Sequence, residues 1–250
     1  MTLTQNLKEE AKKAGFVTVG ISSPDMLRGL PHGRIGTVFF LRTPEEELPN
    51  AKSVVVLGLY VWDRAFNLTV DSSYLKTKKK PKSKSMEPHE SYQLYYEVMR
   101  GKAWPIVHYL SKRGFDSLVS FSIPLKTSAV RCGLGCQGKN TLLITPKYGP
   151  RVRLVSVITT AELETDEPYK EDLCRDCKKC LVACPTKALT PYKLTINRCM
   201  TYAAERPDTE DVPSEVRKLE SRLIDRPTPS SFIECSRCLN VCPIGETHLR

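Results

Sequence analysis

The spacing of cysteines constrains this chain more than any other feature. It has ten cysteines in 250 residues. Cys174, Cys177, Cys180 and Cys184 form CRDCKKCLVACP, a C-x2-C-x2-C-x3-C run closed by Pro185. Cys199 follows alone in NRCMTY, and then Cys235, Cys238 and Cys242 in CSRCLNVCP, again closed by a proline, Pro243. In such a run the first three thiolates wrap one [4Fe–4S] cluster and the fourth crosses to a second. This predicts one cluster on Cys174, Cys177, Cys180 and Cys242, and another on Cys184, Cys199, Cys235 and Cys238. Zinc uses C-x2-C pairs with four ligands per ion, which leaves the tight triplet plus a fourth cysteine and proline unexplained. A disulfide framework belongs to small secreted chains. Met1–Gly20 is charged throughout, with no apolar core of a leader peptide. Reduced thiols and oxygen-sensitive clusters point to the cytoplasm.

The remainder reads as a chain with a real core. No apolar stretch reaches about 18 residues, so no membrane span is expected. Leu3, Leu7, Ala11 and Ala14 recur at helical spacing up to Gly15. Phe16–Ser22 reads as a strand, residues 24–36 as a loop, Phe39–Leu41 as a short element, and Thr43–Glu47 as a capped helical turn. Ser53–Val61 (SVVVLGLYV) suits a strand buried on both faces. Glu90–Arg113 reads as a long helix carrying Tyr92, Tyr95, Tyr96 and Met99 on one stripe, with Pro105 breaking or kinking it. Phe115–Ile123, Leu142–Ile144 and Val152–Thr160 read as strands, and Lys126–Arg131 as a helix. The acidic TTAELETDEP reads as a linker, with a domain boundary near residue 168. Part of the net charge of +10 sits in Lys76–Lys84 (KTKKKPKSK). That run reads as a solvated loop or as an anion-docking loop for nucleic acid or an acidic redox partner.

Cys132–Asn140 (CGLGCQGKN) is glycine-rich. As G-x-G-x-x-G it stands between a helix and a strand, the reverse of a dinucleotide loop. As G-x4-G-K-[ST] it fails at Asn140. Two readings stay open: a tight turn, and close backbone approach to a large cofactor with Lys139 and Asn140 as donors. Cys132 and Cys136 fall outside the cluster pattern and read as buried small residues, a redox pair or ligands of a third centre.

These segments together resemble the epoxyqueuosine reductase family and the related iron–sulfur and corrinoid modules of reductive dehalogenases. LKEEAKKAGFVTVGIS, FFLRTPEEELPNAKSVVVLGLYV, GLGCQGKNTLL, VRLVSVITT, CRDCKKCLVACPTKAL, NRCMTY and CSRCLNVCP follow in that family's order. GLG-x-x-GKN is the most discriminating of them. The resemblance implies an α+β fold. A nitroreductase-like, cobalamin-binding-type domain over residues 1–168 would hold cobalamin or another corrinoid. A bacterial ferredoxin-like 2×[4Fe–4S] domain over 169–250 would feed electrons to cobalt. It further implies that Gly133, Gly135, Gly138, Lys139 and Asn140 lie near the corrinoid. It implies a low-potential donor such as ferredoxin or flavodoxin, and a small-molecule or corrinoid substrate.

The chain also departs from the family. Pro124 is kept, but Ser120 and Ser122 stand where the family carries an acid, and Cys136 where it carries an aromatic. Tyr92–Glu97 replaces another family stretch, and the end at Arg250 leaves out the C-terminal helical-repeat domain associated with tRNA binding. The expectation is therefore an iron–sulfur oxidoreductase passing electrons to a corrinoid to reduce a substrate the sequence does not name. Tyr95, Tyr96 and Lys126 are candidate proton donors. Two alternatives stay open: a non-catalytic electron-transfer or corrinoid-handling protein, and a tRNA-modifying queuosine reductase in which the lysine run replaces the repeat domain.

Overall fold

The computed structural model describes residues 1–30, 32–35, 39–61, 63–71 and 91–245; the lysine run Lys76–Lys84 lies outside them. Helix α1 (Leu3–Lys13) starts at a capping box, with the Thr2 hydroxyl and the Gln5 side chain each accepting the other's backbone N–H. Gly15, at φ +94°, turns the chain out of the helix and into β1 (Thr18–Ser22). The stretch expected to be loop contains a strand, β2 (Gly33–Ile35), which pairs with β3 (Phe39–Leu41). Next come α2 (Pro44–Glu47), capped reciprocally by Thr43 and Glu46, and β4 (Ser53–Tyr60). Then follow β5 (Leu68–Asp71), β6 (Ser91–Gln93), α3 (Leu94–Ser111), β7 (Ser117–Ser120) and α4 (Leu125–Arg131). The short pair β8 (Cys136–Gln137) and β9 (Leu143–Ile144) precedes β10 (Val152–Thr159). The last third holds α5 (Lys179–Ala183), β11 (Leu189–Thr190), β12 (Lys193–Leu194), α6 (Met200–Glu205), α7 (Ser214–Leu223), β13 (Ser231–Ile233) and α8 (Arg237–Asn240).

The main sheet has the order β1-β4-β10-β7, antiparallel throughout. Because side chains alternate along a strand, β4 supplies two cores. Val55, Leu57 and Leu59 pack with Leu7 and Ala11 of α1 and with Met99, Ile106 and Leu110 of α3. Val54 and Val56 pack on the opposite face with Ile123, Ala129, Cys132, Leu134 and Ile158. Each fully buried side chain of this size contributes about 1.5–3 kcal/mol, so the valine run anchors both layers.

Three expectations need correction. The long helix starts at Leu94; residues 91–93 form β6, which pairs with β5. Pro105 stays inside α3. Its cost of about 3 kcal/mol is offset by the buried stripe Met99, Ala103, Ile106, Val107 and Leu110. The acidic segment is no free linker. Leu163 N–H donates to Ser53 Oγ (3.0 Å) and Glu164 N–H to Thr4 Oγ1 (2.9 Å). The Asp166 carboxylate accepts from Lys8 Nζ (2.6 Å) and Ile21 N–H (2.8 Å). Beyond it, β13 pairs with β5, so strands from the two halves interlock across residue 168. Among the described residues, no helix is long and apolar enough to cross a membrane.

Candidate metal centre and cavity

The two cysteine motifs meet because α5 packs on α8. Around them the chain turns tightly. Arg175 and Lys187 have positive φ, Cys177 N–H donates to Cys174 O (2.9 Å) and Cys242 N–H to Leu239 O (3.2 Å). The thiols gather in two electrostatic neighbourhoods. Cys180 and Cys242 both face the charges of Cys174 and Cys177. Cys235 faces Cys199 and Cys184, and Cys238 faces Cys235, Cys199, Cys184 and then Cys180. Burial first, and these neighbouring thiols second, push Cys238 up to about 12. Crowded thiolates need a cationic core to hold them together, and iron–sulfur clusters provide one. Among the described residues, no group of three or more His, Cys, Asp or Glu side chains is placed to share a single ion.

The glycine-rich loop braces this region. A Cβ on Gly135 (φ +155°) would stand 2.1 Å from Ile144 O, and one on Gly133 (φ +80°) 2.6 Å from Glu167 O. A Cβ on Gly138 would stand 2.6 Å from Asn140 Oδ1. These glycines are required by close packing on the chain itself. Lys139 is buried; its ammonium donates to Arg175 O and to Cys177 O (3.2 Å), and its N–H to Cys174 Sγ (3.5 Å). Asn140 Nδ2 donates to Cys238 O (3.3 Å). Lys139 and Asn140 thus hold the cysteine loops. Cys132 lies in the core, its Sγ 2.6 Å from where a Cβ on Gly20 would be, and burial pushes its thiol up to about 12. Cys136 Sγ accepts Leu173 N–H (3.4 Å), directly before Cys174. Neither forms a disulfide.

A cavity of about 620 Å³ opens between the sheet and the cysteine-rich part, a size suited to a small molecule. Its wall includes Cys184, Cys199, Cys235 and Cys238 and none of Cys174, Cys177, Cys180 and Cys242. Of the glycine loop only Asn140 reaches it, followed by Thr141, Leu142 and Leu143. Tyr95, Tyr96, Phe121, Ile123, Lys126 and Arg153 complete the opposite side. A second cavity of about 500 Å³ shares Arg153, Glu234, Cys235 and Arg237 with the first.

A polar cluster stands at this shared wall. Arg153 Nη2 donates to Glu234 Oε2 (2.6 Å) and Asn67 Oδ1 (2.7 Å), and the Tyr95 hydroxyl donates to Glu234 Oε1 (3.2 Å). Burial, with Glu234 next, holds the Tyr95 hydroxyl well above the usual phenol range; burial also raises Tyr96. Lys126 is accessible through the cavity yet ringed by protein, and this desolvation, followed by the charge of Arg153, pushes its ammonium down. Arg151 also serves the site, donating to Cys242 O (3.1 Å) and Ile244 O (2.9 Å). Sequence reasoning missed Arg151, Arg153, Glu205 and Glu234. The available signals were two arginines flanking Val152 in an apolar strand and an acid directly before Cys235.

Glu205 closes the α6 end of the cluster and accepts Gln93 Nε2–H (3.4 Å). Burial and then the Glu234 charge raise it to about 7 from 4.5. A raised carboxylate binds its proton more tightly folded than unfolded. Its cost is therefore absent below about pH 4.5, grows as pH rises, and is complete above about pH 7. Glu205→Gln is expected to remove a loss of about 1–3 kcal/mol between pH 5 and pH 8, read as a flatter pH dependence of denaturant midpoints.

Comparison with known proteins agrees with this geometry. Residues 173–245 match the family model of the 4Fe-4S double cluster binding domain. The epoxyqueuosine reductase of Bacillus subtilis (strain 168) is 28% identical over 98% of this chain, and the chain spans 64% of that protein's length. A tetrachloroethene reductive dehalogenase of Desulfitobacterium hafniense is 36% identical over 59% of this chain and 27% of its own. The crystal structure of an epoxyqueuosine reductase with a modified tRNA-Tyr stem loop superposes with a TM-score of 0.66 at 25% identity, covering 96% of this chain and 64% of that one. The chain is thus similar to iron–sulfur reductases of the epoxyqueuosine type and carries a double-cluster domain.

Proposed function

We propose that this protein is an iron–sulfur reductase whose cavity opens onto the site of a corrinoid, where a substrate undergoes two-electron reduction. Cys174, Cys177, Cys180 and Cys242 would hold one [4Fe–4S] cluster, and Cys184, Cys199, Cys235 and Cys238 the other. The observation that carries the reading is the cavity wall: the second cysteine set lines it and the first does not. The clusters supply single electrons at low potential, and a corrinoid supplies a metal able to accept them. The mixed lining suits a large apolar ring with polar edges. Asn140–Leu143 and Phe121 would hold its faces, and Lys126 and Arg153 its polar rim. This use of the first domain is the nitroreductase-like, cobalamin-binding arrangement implied by the family resemblance. A reducing compartment, the cytoplasm, suits such clusters.

Reduction also consumes protons, and no acid stands at Ser120 or Ser122. Lys126 is the better-placed donor in the cavity, because it is exposed there and the protein around it, with Arg153, lowers its ammonium, while burial raises Tyr95 and Tyr96. Lys126 also interacts with the charges of Cys199 and Cys238, so it favours the more negative, reduced state of the centre they hold. Lys126→Met is expected to lower that centre's reduction potential by on the order of 50 mV, equivalent to about 1 kcal/mol at partly screened range. An EPR-monitored redox titration reads the shift, and the other centre serves as the internal control.

Adding cobalamin to oxygen-free protein and recording the visible spectrum tests the corrinoid. A spectral change saturating at one equivalent supports it, and an unchanged spectrum removes it. A second reading, reduction of a modified base in tRNA, is favoured by the similar reductase solved with a tRNA stem loop and by the net charge of +10. Salt-sensitive retention of tRNA would support that reading, and no retention at low salt would dismiss it. A purely electron-carrying protein would leave the cavity without a role.

A further inference from the structure

We propose that the α5–α8 face is the docking surface for an acidic one-electron carrier protein, and that electrons enter the molecule there. The inference rests on the two-cluster reading above and names the partner of that site. Val182 on α5 is 84% exposed, although it lies two residues from both Cys180 and Cys184. Val241, beside Cys242, is 36% exposed. Val182 belongs to α5 and Val241 caps α8, the pair of elements that brings the cysteine motifs together. Lys178, Lys179 and Lys187 are exposed in the same segment and outnumber the exposed acid beside them, Asp176.

An apolar centre with a charged rim is the anatomy of a protein contact, and a rim of net positive charge favours an acidic partner. The face also has the right position for entry. The set Cys174, Cys177, Cys180 and Cys242 contributes nothing to the cavity wall, so it is the set available to an outside donor, while the other set serves the cavity. Each docking event oxidises the carrier by one electron and reduces this protein by one. No bond is made or broken, and two events furnish the pair of electrons a two-electron reduction consumes.

The test mixes oxygen-free protein with reduced flavodoxin, an acidic carrier, and in parallel with dithionite, following cluster bleaching by stopped flow. With the unmodified protein, the flavodoxin-driven rate is expected to fall as salt rises from 50 to 500 mM, by about tenfold or more. A flat or rising dependence overturns the proposal. Val182→Asp and the pair Lys178→Glu with Lys179→Glu are expected to slow the flavodoxin-driven rate by about tenfold, with iron content and dithionite bleaching unchanged. Unchanged flavodoxin rates in these variants overturn it. So does a change from dimer to monomer on Val182→Asp with the flavodoxin rate preserved, which would assign the face to a second copy of this chain. If dithionite itself bleaches nothing in the unmodified protein, the cluster reading has failed and not the docking surface.

Discussion

Cys184→Ala protein, prepared without oxygen, is expected to lose the same centre as Cys199→Ala, Cys235→Ala and Cys238→Ala, and to keep the centre that Cys174→Ala, Cys177→Ala, Cys180→Ala and Cys242→Ala each destroy. Iron falls from about eight to about four per chain in every case, but the surviving EPR signal differs between the two groups. The prediction is sharp because Cys184 is nearer in sequence to Cys180 than to any member of its own group. The structure shows what separates them. Cys180 sits in the first turn of helix α5 (Lys179–Ala183) and Cys184 caps its other end, and Cys184 contributes to the cavity wall while Cys180 does not. Cys184 Sγ also accepts Ala188 N–H (3.3 Å), a hydrogen bond that holds its sulfur in place. A surviving signal that sorted Cys184→Ala with Cys180→Ala would mean that each motif holds its own cluster, and that the fourth cysteine does not cross.

The elements that set this frame were legible in the sequence wherever one local rule dominated. The capped start at Thr43, the stop at Gly15 and the valine run of β4 each follow from side-chain chemistry within a few residues. Pro105 was misread because the local rule was outvoted by the core: its helix buries Met99 and Ile106 on the same face. Strand β6 was invisible for a related reason. Ser91–Gln93 has no apolar alternation and becomes a strand only because β5 and β13 offer it an edge. The glycine loop was legible as a special backbone, but not in its purpose. Spacing alone does not say whether missing side chains make room for a ligand or for Ile144 O, and the packing distances point to the chain itself. Arg151 and Arg153 escaped notice for the opposite reason. Arg151, just before β10, and Arg153 within it gain their partners only when the cysteine-rich third folds over them.

That fold-over joins Arg153 and Glu234 in a polar contact between the sheet and the cysteine-rich third. Arg153 belongs to β10 of the main sheet, and Glu234 lies between β13 and Cys235, so their 2.6 Å contact ties the sheet to a cluster-holding segment. Asn67, the Tyr95 hydroxyl and the Tyr95 ring, 4.3 Å below the guanidinium, complete the shell. Removing one partner of a buried pair leaves the other charged and unpaired, at a cost of about 3–5 kcal/mol. The two sides differ here. The Glu234 side chain is 9% exposed and that of Arg153 26%, so water relieves a stranded arginine better than a stranded glutamate. Arg153→Met is therefore expected to cost about 3–5 kcal/mol, and Glu234→Met about 2–3 kcal/mol. The double variant should cost clearly less than their sum. Because Glu234 adjoins Cys235, the centre proposed on Cys184, Cys199, Cys235 and Cys238 should bleach at lower denaturant than its neighbour in either single variant. Denaturant titrations with EPR at each point measure both quantities. Additive costs, or simultaneous loss of both centres, would show that this ion pair is an ordinary surface contact and that the cavity wall is held by packing alone.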